Sequence, residues 1–62
     1  MNENKIIVAG DALSTIKDVS LGLAILLSNC DMDSFPELKA LHNGLLNMHS
    51  EAKGALNKLD DE

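Results

Sequence analysis

From Asp11 to about Asn29 the apolar positions recur at the spacing of a helix. Ala12, Ile16, Val19, Leu23, Leu26 and Cys30 are separated by alternating fours and threes, the a/d pattern of a helix that packs along one stripe. Leu13 and Leu27 widen that stripe on one flank. A second run, Leu38, Leu41, Leu45, Met48, Ala52, Ala55 and Leu59, alternates threes and fours without a miss. Asn43, Ser50 and Asn57 recur every seven residues on its other side, as a solvated face should.

The stretch between them, "NCDMDSFPEL", interrupts both patterns with turn and cap residues. Ser34 with Glu37 three positions on fits a capping box, and Pro36 is tolerated in a first helical turn. Phe35 is expected to close the end of the core beside the turn. The pattern predicts an all-α fold, an antiparallel helical hairpin in residues 11–62, with helix 1 over about 11–29, a turn at 30–34 and helix 2 over about 35–59. Each stripe is expected to face the other. Before the hairpin, "KIIVA" (Lys5–Ala9) is a β-branched run ending at Gly10, with Asp11 available as a helix N-cap. Residues 1–10 are therefore expected as an N-terminal arm or short strand, with a frayed extension of helix 1 as the even alternative. The closing "DDE" reads as a solvated acidic tail.

One stretch of helix 1 does not fit a two-helix object. "LGLAILL", Leu21 to Leu27, has seven consecutive residues without a polar group. The stripe takes Leu23 and Leu26, which leaves Leu21 and Ile25 on the opposite side, and a helix that is apolar all round is normally buried all round. Helix 2 carries a matching second stripe of Phe35, His42, Leu46, His49 and Leu56, with Lys39 and Lys53 interleaved. These seven apolar and histidine positions form the expected interface, to a second copy or to a partner protein. The simplest cover is a C2 homodimer forming a four-helix bundle. A monomer with an exposed greasy end, and a surface belonging to a different protein, are the competing readings.

Size supports the dimer. Sixty-two residues form one domain near the lower limit for folding alone. With one cysteine there is no intramolecular disulfide, and a single thiol cannot by itself build a zinc site, which leaves oligomerisation as the available stabiliser. Phe35 is the only aromatic residue, so the core is aliphatic. The net charge is −5 and the five basic residues, Lys5, Lys17, Lys39, Lys53 and Lys58, are scattered, which argues against nucleic acid as a partner. No basic segment followed by a long apolar core opens the chain, and Val19–Leu27 falls far short of the roughly 20 residues of a membrane span. The expected location is the cytoplasm, away from membranes.

Candidate chemistry is thin. His42 and His49 are seven apart, so their backbones stand about 10 Å from each other on one helix, too far to chelate one metal together. Cys30 lies at a helix C-terminus beside Asp31 and Asp33, where negative potential opposes a reactive thiolate, and a small core role is expected for it. "DMDSFPE" has the alternating acids of a calcium loop but lacks its sixth-position glycine, and His42 stands where the twelfth-position glutamate belongs. No catalytic, cofactor or metal site is expected, and the chain is read as no enzyme.

In length, charge and layout the chain resembles the Rop family of plasmid RNA-binding proteins, short acidic helical hairpins that dimerise. No residue motif carries across, so the resemblance implies an architecture and an RNA-binding alternative without implying a site. The leading expectation is a small regulatory or inhibitory protein that dimerises and acts by protein–protein contact. A subunit of a hetero-oligomeric assembly is the third alternative.

Overall fold

The computed structural model describes residues 3–60. Two helices account for nearly all of them: α1 spans Glu3–Ser28 and α2 spans Pro36–Asp60. They lie antiparallel, since the last turn of α2 returns to the first half of α1. Leu59 reaches within 3.6 Å of where a Cβ on Gly10 would stand, and His49 meets Lys17 midway along. The result is a rod of 48 × 14 × 13 Å.

The expected arm is helix instead. α1 starts at Glu3, so Lys5–Ala9 continues it, and no strand occurs among the described residues. A lone strand here would have no ladder partner, whereas a helix satisfies its backbone groups internally. Within the helix Ile6 is half-buried. Those gains outweigh the few tenths of a kcal/mol per residue by which β-branched side chains disfavour helix. Residues 1 and 2 of the expected arm, and 61 and 62 of the acidic tail, lie outside the described residues.

α1 ends by turning its last carbonyls onto nearby donors. Ser28 Oγ donates to the Ile25 carbonyl at 2.6 Å, and the amides of Asn29 and Cys30 donate to Leu26 and Leu27 at 3.2 and 3.0 Å. Pro36 then opens α2, at the position where its missing N–H is no loss. The expected capping box does not form. Ser34 donates its hydroxyl to Asp31 Oδ2 at 2.6 Å and its amide to Asp31 Oδ1 at 3.2 Å, which ties the turn together rather than capping α2. Phe35 is largely exposed and closes nothing, and Cys30 is also exposed.

The Asp31–Ser34 clasp carries a pH signature. Its hydroxyl and amide hydrogen bonds stabilise the carboxylate and hold the Asp31 pKa below its ordinary value of 3.8. A depressed folded-state pKa contributes stability that is present above the unfolded value and disappears as pH falls through the folded one. Ser34→Ala is thus expected to flatten the acid limb of thermal stability below about pH 4 while leaving neutral pH nearly unchanged. An identical acid limb in the variant would show the clasp to be energetically idle.

On α1 the hairpin closes along a different seam from the one its strongest periodicity suggests, while on α2 the seam keeps Leu38, Leu45, Ala52 and Leu59 of the expected stripe. On α1 the residues turned toward α2 are Ile6, Gly10, Leu13, Lys17, Ser20, Ala24 and Leu27, again alternating fours and threes. On α2 they are Leu38, His42, Leu45, His49, Ala52, Leu56 and Leu59. Only Ser20, Ala24 and Ala52 are buried among the described residues. All three are small, and small side chains let two helix backbones approach closely. Ser20 is affordable there because its hydroxyl bonds within its own helix, to the carbonyls of Ile16 and Lys17. Lys17 is half-buried, its aliphatic stem lying along the seam.

Candidate interaction face

Turning the small seam inward turns the large aliphatics outward. Ile16, Val19, Leu23 and Leu26 of the expected α1 stripe are all exposed, Leu26 by 64%. Leu41 and Met48 of the expected α2 stripe are exposed by 58% and 49%. The α1 stripe borders one side of the hairpin, and the α2 stripe is divided: Leu38, Leu45, Ala52 and Leu59 face α1, while Leu41 and Met48 lie on the same side as the α1 stripe. Between them runs an apolar groove. One hollow of about 210 Å³ is lined by Val19, Leu23, Leu45 and Met48 among others, and a second of about 280 Å³ by Leu13, Ile16, Ala52 and Ala55. A third, of about 330 Å³, lies on α1 alone toward its N-terminus, beside Lys5, Val8 and Ala12.

The seven residues expected at an interface divide between two environments. His42, His49 and Leu56 are half-buried inside the hairpin. Leu21, Ile25, Leu46 and Phe35 are exposed. Helical geometry sets Leu21 and Ile25 on the flank of α1 opposite the Ile16–Val19–Leu23 stripe, so they lie across the rod from the groove. Lys39 and Lys53 fall with Leu46 on the corresponding flank of α2.

His49 has a structural task. Its Nδ1 stands 2.9 Å from the backbone carbonyl of Lys17. A carbonyl can only accept, so Nδ1 carries the hydrogen and donates it. This bond crosses between the helices near mid-length and fixes their register. His42 takes the same seam one heptad earlier, so neither ring is presented to a shared metal. No group of three or more His, Cys, Asp or Glu side chains gathers to hold a metal among the described residues. No described helix is long and apolar enough to cross a membrane.

The buried seam was missed for an identifiable reason. Gly10, Ser20 and Ala24 carry little or no hydrophobic signal, so a search for large apolar residues passes over them, although Leu13, Lys17, Ser20, Ala24 and Leu27 keep the same heptad spacing. The hydrophobic faces overlap so widely on this helix that two stripes satisfy the same rule. Comparison of the chain with protein-family models, with curated proteins and with solved structures finds no match in any of the three.

Proposed function

We propose that this protein is a non-enzymatic interaction protein that self-associates through its apolar groove and acts on a larger protein by contact, as a regulator or inhibitor. The observation that carries the reading is the inversion of the hairpin: the residues fully buried in its seam are all small, while Ile16, Val19, Leu23, Leu26 and Leu41 face outward. Size scaling adds a magnitude. The chain exposes 4692 Å², about 800 Å² more than the roughly 3,900 Å² of a folded monomer of 6.7 kDa. About 800 Å² is also what each partner contributes to a standard stable interface. The radius of gyration is 14.3 Å, against roughly 10.6 Å for a compact domain of this length and roughly 13.7 Å for one twice as long. One hairpin has the dimensions of half a domain.

Pairing through the groove leaves Leu21, Ile25 and Leu46, with Lys39 and Lys53, on the outer surface. This is the patch assigned to the larger partner. The two roles separate in one experiment. Leu21→Asp with Ile25→Asp is expected to keep the dimer mass by light scattering and to lose the proteins that the wild type retains from a lysate. A double variant that falls to monomer mass would place self-association on this flank instead, and one that retains the same proteins would remove the patch from partner binding.

A further inference from the structure

The groove is not uniform along its length. Toward the loop it is bordered by projecting leucines, Leu23, Leu26 and Leu41. Toward the open end, where α1 begins and α2 ends, it is bordered by Val8, Ala12, Ala52 and Ala55, and the two larger hollows lie there, one in the groove and one beside it on α1. A face that is bulky at one end and hollow at the other fits a copy of itself in one orientation. Packed with loops at the same end, leucines would meet leucines and the hollows would stay empty, and close packing tolerates neither crowding nor voids.

Resting on the self-association proposed above, we infer that the occupant of the groove is a second copy of this chain packed with its loop at the opposite end, the two-fold axis crossing the rod near Ile16 and Met48. Each helix then runs antiparallel to its own copy, which sets large against small. The partner's Leu26 lies over Val8 and the partner's Leu23 over Ala12, while the partner's Leu41 lies over Ala55.

Charge agrees with shape. Lys5 borders the hollow at the open end, and Glu37 lies one helical turn before Leu41 on the same side of α2. With loops at opposite ends, Lys5 lies at the same end of the rod as the partner's acidic loop and the partner's Glu37. With loops together, two copies of Glu37 gather with two sets of Asp31 and Asp33 at one end, and like charges so placed repel.

The single thiol makes the arrangement readable. Cys30 ends the outward stripe of α1 and is exposed. In the inferred dimer the two copies of Cys30 stand at opposite ends of a rod, roughly 40 Å apart for a helix of this length, far beyond the ~7 Å Cα separation a disulfide allows. Wild type is therefore expected to resist oxidative cross-linking. Lys5→Cys, which sets a new thiol beside the partner's Cys30, is expected to convert to covalent dimer, and Lys5→Cys with Cys30→Ser is expected to lose that link. Ready cross-linking of the wild type, or of the Lys5→Cys/Cys30→Ser protein, would show the loops at one end and overturn the arrangement. So would a Lys5→Cys protein that is a dimer by light scattering and does not cross-link. Monomer mass for the wild type would instead overturn the self-association on which the arrangement rests.

Discussion

On the proposed self-association, Leu23→Asp is expected to give a poorly helical chain of 6.7 kDa mass in place of the dimer. Leu23 lines the middle of the groove with Val19, Leu45 and Met48, and in the isolated hairpin it is 44% exposed. Burying one leucine contributes about 1.5–3 kcal/mol, and a two-fold axis counts each substitution twice. Losing both leucines weakens association by roughly 3–6 kcal/mol, about 10²–10⁴-fold, before the cost of enclosing two carboxylates is added. The released hairpin keeps no large buried side chain to hold it, and isolated helices without a packed face are marginal in water. Light scattering reads the mass and circular dichroism the helix content. A Leu23→Asp protein with unchanged mass and unchanged helicity would take the groove out of the interface altogether.

Ala24→Leu should be the most damaging single change inside the hairpin. Ala24 is 1% exposed, on the seam between the two helices, and the added carbons have nowhere to go unless the backbones separate. Overpacking of this kind costs about 1–3 kcal/mol, which for a domain of this size lowers Tm by roughly 5–20 °C. Ala40→Leu is the control. Ala40 is exposed on α2 and adjoins neither the seam nor the groove, so the same chemical change there should move Tm little. The pair also discriminates between the two seams. If the stripe from Ala12 to Cys30 faced α2, Ala24 would sit at its edge, and a leucine there would be tolerated or would stabilise.

How much could be read from the residues alone varies along the chain. The turn was legible because Asn29, Asp31, Asp33, Ser34 and Pro36 act locally, through their own backbone and that of near neighbours. Even there the partner of Ser34 was not, since its hydroxyl reaches Asp31 as easily as it reaches the first turn of α2. The start of α1 was ambiguous because "KIIVA" suits a strand by its branching, and only α2 returning to Gly10 favours the helix. The pair His42 and His49 was correctly placed on one face of α2. That this face is the seam depends on Lys17, thirty-two residues away from His49, offering its carbonyl.

The sequence by itself determined two long helices, the break between them and an excess of apolar surface that a two-helix object cannot cover. These follow from spacing, and spacing is a property of each helix alone. Only the tertiary structure decided which side of each helix is shared. When apolar residues occupy more than half of a helix's circumference, several stripes one residue apart meet the same periodic rule. The choice among them falls to backbone approach, and the glycine, serine and alanines that permit close contact carry no hydrophobic signal. The hairpin closes most tightly on its small residues, and Ile16, Val19, Leu23, Leu26 and Leu41 are left to face outward.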